Sequence, residues 1–141
     1  MPVALQPVLL RALEECRTHS SMEVSLVASG QIQEMHPIVR DEIYRIGYEA
    51  IRNASVHSQA TQLRVELSYA QDLSLRISDN GTGIDPEIVH RGKPGHFGLQ
   101  NMRERAARIM GKFSVESSAS SGTVITLTVP GGIVYRTVTT I

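Results

Sequence analysis

Leu5, Val8, Leu9, Ala12, Leu13 and Cys16 recur at the interval of a single helix face, which predicts an amphipathic helix over residues 5–19. Residues 23–28 alternate as a strand does, and residues 30–37 read as loop. Helical spacing returns in Ile38, Ile43, Ile46, Gly47, Ala50, Ile51 and Ala54, predicting a long second helix that reaches about His57. Residues 62–69 and 73–77 alternate on either side of Ala70, Gln71 and Asp72, the pattern of an antiparallel hairpin with a short connection. From Asn80 to Gly98 the chain holds five glycines and two prolines with little periodicity, too polar for core, which predicts a mobile lid. Leu99, Met102, Ala106 and Ile109 then mark a third helix over 97–110, with Gly111 placed to end it. Strands are expected at 112–117 and 123–129 around a serine-rich turn. Pro130, Gly131 and Gly132 break the sheet before a last extended piece at 133–138, whose end from Arg136 to Ile141 is either an extra edge strand or a frayed terminus.

Helices and strands thus come in mixed order, with hairpins in place of a regular strand-helix-strand alternation. That order predicts an α+β two-layer sandwich, a mixed and mainly antiparallel sheet covered on one face by about three helices. The 141 residues suffice for one substantial core, so residues 1–141 are read as one domain. Fourteen Lys and Arg balance fourteen Asp and Glu, which leaves no global attraction to nucleic acid or to an anionic membrane surface. The single cysteine, Cys16, has no internal disulfide partner and falls on the apolar side of its helix, as expected in a reducing compartment. Apolar runs stop well short of the roughly 20 residues that span a bilayer, so no direct membrane contact is expected.

Four short segments carry candidate chemistry. Glu49, Asn53 and His57 stand four residues apart on the second helix and project from one face. An amide oxygen there can ligate magnesium, a carboxylate can order water and an imidazole can approach phosphate, but a solvated helix face explains the same three residues. Asp79-Asn80-Gly81-Thr82-Gly83 follows a strand, where a partly buried carboxylate can accept from an exocyclic amino group and two glycines let a flat ligand approach. A turn-forming Asp-Asn-Gly accounts for it as well. Gly95-His96-Phe97-Gly98-Leu99 opens the third helix, whose free N–H groups and dipole suit an anion. It is not a Walker-type phosphate loop, and a glycine-rich helix entry without function has the same sequence. Gly122-Thr123 offers a hydroxyl beside the last core strand, or simply a tight turn.

Taken in order, Glu49-x-x-x-Asn53-x-x-x-His57, Asp79-x-Gly81-x-Gly83, Gly95-His96-Phe97-Gly98-Leu99 and Gly122-Thr123 resemble the N box and the three glycine boxes of the GHKL ATPases. Within them, the string from Gly98 through Leu99, Gln100, Asn101, Met102, Arg103, Glu104 and Arg105 to Ala106 looks like sensor histidine kinases of the nitrate-sensor and desaturase-sensor type. The resemblance runs along nearly the whole chain. It implies the left-handed-crossover sandwich known as the Bergerat fold, with ATP and Mg²⁺ as ligands. It further implies that Glu49 orders or deprotonates the attacking group, that Asn53 ligates the magnesium, and that His57 lies near the phosphates. Asp79 would accept the adenine amino group, Thr123 would join through water, and Gly81 and Gly83 would let the base lie flat beside Ile84. Residues 85–96 would form the lid, with Lys93 on it either a solvated charge or a phosphate contact, and Gly95, His96, Phe97, Gly98 and Leu99 would close on the phosphates.

The same resemblance implies a protein histidine kinase catalytic domain. It would donate the ATP γ-phosphoryl group to a histidine on a separate dimerisation domain of the same protein, from which a response regulator receiver domain is later phosphorylated. None of His19, His36, His57, His90 and His96 lies in a long helix ahead of the domain, so no phosphoacceptor is expected in this chain. Its expected location is cytoplasmic, as the cytoplasmic part of a sensor. Other readings compatible with the boxes are an anti-sigma-factor type serine kinase and an ATP-binding regulatory module without transfer. The string from Leu99 to Ala106 argues against the first, and the presence of Glu49, Asn53 and Asp79 against the second. An ATPase clamp of the gyrase kind needs an arm and a transducer domain for which the chain has no room.

Overall fold

The computed structural model describes residues 4–19, 21–57, 59–83, 98–118 and 120–136. The elements run α1 (Leu5–His19), β1 (Glu23–Gly30), α2 (Pro37–His57), β2 (Gln62–Tyr69), β3 (Leu73–Asp79), α3 (Gly98–Arg108), β4 (Lys112–Ser118), β5 (Gly122–Val129) and α4 (Gly131–Val134). The five strands form one sheet in the order β1-β2-β3-β5-β4. β1 and β2 run parallel and are joined through α2, whereas the remaining neighbours are antiparallel. This is the mixed, mainly antiparallel sheet expected from the element order.

Alternation places the core. Leu63, Val65 and Leu67 of β2, Leu73, Leu75 and Ile77 of β3, and Ile125, Leu127 and Val129 of β5 are all buried. Residues between them on the same strands are half-buried or exposed, so one face of the sheet is covered. The cover comes from Leu5, Leu9 and Leu13 of α1, Ile43, Ile46 and Ile51 of α2, and Met102 of α3. α2 packs against α1, α3 and β3, a central seat between the other two helices and the sheet.

Local chemistry sets the helix limits. Pro37 opens α2 at the first-turn position where its missing N–H costs nothing, and His36 caps the helix by accepting the Ile38 N–H on Nδ1 at 3.3 Å. Burial falls on Val39, while Ile38, expected to face inward, is 69% exposed: Val39 lies four residues before Ile43 and shares its face, whereas Ile38 lies five before it and is turned away. At the end of α3 the Gly111 N–H reaches back to the Ala106 carbonyl at 2.8 Å, as its placement suggested. The left-handed position, however, is held by Met110 at φ 55°.

One expected element differs outright. In the described part of the expected extended piece at 133–138, Ile133 and Val134 close the helical turn α4, followed by a single bridge from Tyr135 to Met35. Pro130 does not only break the sheet, because its carbonyl accepts the N–H groups of Ile133 and Val134 and so starts the turn. Distant contacts then hold it: Asp72 accepts the Gly131 N–H at 3.0 Å and the Tyr135 hydroxyl donates to the Ala70 carbonyl at 2.8 Å. Residues 137–141 lie outside the described residues, as does the expected lid at 85–96.

Candidate nucleotide site

The core-facing rows of three adjacent strands end in polar side chains at one edge of the core. Ile77 is followed at the next inward position by Asp79, Ile125 is preceded by Thr123, and Val115 is followed by Ser117. A strand pattern that alternates so cleanly must place these three on the face the helices cover. Asp79 pairs with Thr123 in the β3–β5 register, and Ser117 pairs with Thr123 across β4–β5. The Ser117 and Thr123 hydroxyls lie 3.1 Å apart, and Thr123 is only 4% exposed. A polar floor thus closes the end of an apolar core.

Asp79 sits half-buried in that floor. Its Oδ1 accepts the Gly81 N–H at 2.8 Å, the closing bond of the Asp-Asn-Gly turn. Burial pushes its carboxyl above the usual carboxylate range, and the backbone N–H groups of Gly81 and Thr123 pull it part of the way back. Asn80, which sequence reasoning took only for a turn former, clamps the start of β2. Its Oδ1 accepts the N–H groups of Thr61 and Gln62 at 2.9 Å each. Gly122 meets this corner at φ 88°, and a Cβ there would run into the Asp79 carbonyl, so the close approach requires glycine. Gly83 backs onto the Ser118 carbonyl of β4.

A second cluster forms where α2 meets the start of α3. Glu49 and Asn53, one turn apart and both half-buried, face Gly98. A Cβ on Gly98 would lie 2.8 Å from Glu49 Oε1 and 2.9 Å from Asn53 Nδ2. The spacing that suggested a shared helix face therefore has a physical partner, a helix N-terminus whose first residue leaves those polar groups their room. Behind it Leu99 is buried, anchoring the first turn of α3 in the core. A surface cavity of about 280 Å³ opens beside Glu49 between α2 and α3, with Tyr48 and Met102 in its wall.

The structure brings Glu49, Asn53 and Gly98 together, and separately Asp79, Gly81 and Thr123. α2 ends at His57, whose side chain lies outside the described residues, as do Ile84, Gly95, His96, Phe97 and Lys93. Ser117 was read only as the end of a strand; its inward parity next to Thr123 was the available signal. Among the described residues no group of three or more His, Cys, Asp or Glu side chains is placed to hold a metal by itself. The donors present, one amide oxygen and one carboxylate, suit a hard cation that arrives already bound to phosphate oxygens.

Replacing Gly98 by alanine separates fold from site. The clash is with the ends of two flexible side chains, which can move aside without disturbing the core. Gly98→Ala is expected to unfold no lower in temperature than the wild type while binding Mg-ATP about tenfold more weakly, because Glu49 and Asn53 must turn away. Thermal unfolding beside a nucleotide titration checks both halves.

Comparison with known proteins bears on the same residues. Residues 38–133 match the family model described as histidine kinase-, DNA gyrase B-, and HSP90-like ATPase. The sensor protein VraS of Staphylococcus haemolyticus is 43% identical over 93 residues, which are 65% of this chain and 26% of VraS. The chain therefore spans about a quarter of the length of the curated relatives it matches. Among solved structures, the ATP-binding domain of PrrB from Mycobacterium tuberculosis superposes with a TM-score of 0.73 at 26% identity, over 93% of this chain and 96% of that one. Full-length ShkA, solved in complex with AMPPNP, superposes with a TM-score of 0.79 at 15% identity, over 99% of this chain and 32% of ShkA, a likeness of fold.

Proposed function

Because this chain belongs to the histidine kinase-, DNA gyrase B-, and HSP90-like ATPase family, we propose that residues 1–141 are the catalytic ATP-binding domain of a sensor histidine kinase. Its reaction is transfer of the γ-phosphoryl group of Mg-ATP to a histidine on a separate dimerisation domain of the same protein, with a response regulator receiver domain phosphorylated afterwards. The observation that carries this reading is the cradle at Gly98, where the first turn of a helix abuts a carboxylate and an amide that fill the room a side chain would take.

In this reading Asp79 accepts the adenine amino group from the polar floor, and Thr123 supports the base through a bridging water. Gly81 and Gly83 keep that wall flat beside Ile84. At the other end, the N–H groups at the start of α3 and the residues leading into it, Gly95, His96, Phe97, Gly98 and Leu99, hold the phosphates. His57 lies close to them, one turn beyond Asn53. Asn53 ligates magnesium, which when bound offsets charge on the phosphate oxygens. Glu49 accepts the N–H of the incoming imidazole and aims its other nitrogen at phosphorus. As the new N–P bond forms, the bond from phosphorus to the β–γ bridging oxygen breaks and ADP leaves with that electron pair.

Electrostatics and positioning do most of the work, so Glu49 need not be a strong base. VraS is named a sensor protein, and the likeness to it supports the sensor-kinase form of this reading over other members of the family. No helix among the described residues is long and apolar enough to cross a membrane. We place the domain in the cytoplasm, where ATP is available, as the cytoplasmic part of such a sensor.

The test is transfer itself. The chain is mixed with γ-labelled ATP, Mg²⁺ and the helical dimerisation domain of its parent protein. Acid-labile, base-stable label on that domain's histidine is the expected result. Label on serine, or ATP turnover with no labelled protein, would assign the domain to another branch of the family.

A further inference from the structure

Glu42 and Arg105 belong to none of the four motifs, yet they join the two helices on which two of the motifs lie. Arg105 Nη1 donates to Glu42 Oε1 at 3.0 Å, and Arg108 stands 3.7 Å from the other oxygen. The Glu42 side chain is 15% exposed and its Oε2 is buried with no hydrogen bond, so this carboxylate depends on the two guanidinium groups beside it. An exposed ion pair would contribute little, but one half-buried between packed helices holds a geometry.

Its place along the helices is what matters. Glu42 precedes Glu49 by seven residues on α2, and Arg105 follows Gly98 by seven on α3. Seven residues are about two turns, so the ion pair and the Gly98 cradle are two contacts at matching intervals along an antiparallel helix pair. The apolar contacts of Leu99, Met102 and Ala106 hold α3 in the core but are non-directional, whereas the charge-assisted bond from Arg105 to Glu42 is directional and, with the cradle, fixes the register. A slip of one residue moves the start of α3 by about 1.5 Å. Displacements near 1 Å at a reacting group can cost about 100-fold in rate.

We propose that the Glu42–Arg105 pair, backed by Arg108, is a positioning device for the phosphate end of the site: it sets the register of α3 so that its first-turn N–H groups meet the terminal phosphate. The inference rests on the nucleotide reading above and deepens it by assigning the pair to the terminal phosphate rather than to the base. Neither residue is among those assigned to the nucleotide above, although Arg105 also lines the cavity beside Glu49.

The experiment titrates the chain, and its Glu42→Gln and Arg105→Lys variants, with ATP and with ADP in Mg²⁺, and follows thermal unfolding in parallel. For Glu42→Gln the expected result is ATP affinity about tenfold lower with ADP affinity within about twofold of wild type, so that the ATP-to-ADP preference collapses. Arg105→Lys, which keeps the charge and loses the planar guanidinium, falls between, and it carries the test should Glu42→Gln fail to fold. An ATP-to-ADP preference equal to that of the wild type in a folded variant overturns the proposal, even if its melting temperature drops, because a merely structural pair would do no more than that. A wild-type chain that binds neither nucleotide overturns the nucleotide reading, and the inference with it.

Discussion

Asp79→Asn is expected to weaken ATP binding by roughly 10- to 100-fold without lowering the stability of the fold at neutral pH. The two halves have one cause. The carboxylate is held in a half-buried floor, and burial raises its pKa above the ordinary value despite the N–H groups of Gly81 and Thr123. A carboxyl raised in the folded state contributes stability that is fully present below its unfolded pKa and is lost as pH rises through the folded pKa. At neutral pH the charge is therefore a cost to folding, and asparagine removes it while keeping an oxygen for the Gly81 N–H. Binding suffers for the opposite reason, since the new amide presents N–H groups where adenine also presents them. The same amide can donate to the O6 of guanine, so the preference of ATP over GTP should shrink. Calorimetric titration gives the affinities, and thermal unfolding from pH 7 down to pH 4 gives the stability. The variant's advantage should fade as pH falls through the raised pKa of the wild type. Equal losses of affinity and stability at pH 7 would make Asp79 a turn former and nothing more.

Asn53→Ala should act at the other end and on the rate. Phosphotransfer is expected to fall roughly 100-fold or more, the usual scale for removing one preorganised contact to developing charge. ATP binding should persist, held by the base, but should no longer tighten when Mg²⁺ is added. Stability should hold or rise slightly, because Asn53 is half-buried on a helix where alanine is the better former. Single-turnover transfer and titrations with and without Mg²⁺ separate these outcomes. A variant whose affinity still responds to Mg²⁺ as the wild type does would remove Asn53 from the metal site.

Most of this architecture was legible because its signals are local. The helical spacing through Ile43, Ile46 and Ala50 and the alternation through Leu63, Val65 and Leu67 report the face each residue buries, and those faces are buried. The four motifs were legible in their order along the chain, and Gly98 proves to lie against Glu49 and Asn53. What escaped depended on partners distant in sequence. α4 was read as strand because the donors and acceptors that hold it, Asp72 and Ala70, lie some 60 residues earlier. The Glu42–Arg105 pair spans 63 residues and leaves no periodic trace. Asn80 looked like a turn residue because the N–H groups it captures belong to the start of another strand. Ile38 was misjudged for a smaller reason: it stands five residues before Ile43, off the face that Val39 shares with Ile43 and Ile46.

The central claim is that the polar floor at Asp79 and the cradle at Gly98 together make a pocket for an adenine nucleotide. Titration of the wild-type chain with ATP and with GTP, both in Mg²⁺, tests it most directly. Saturable ATP binding at least about 100-fold tighter than GTP binding is predicted, since a site built to accept an amino hydrogen is left with opposed oxygens when guanine enters. Equal affinity for the two nucleotides, or no binding of either, would contradict it.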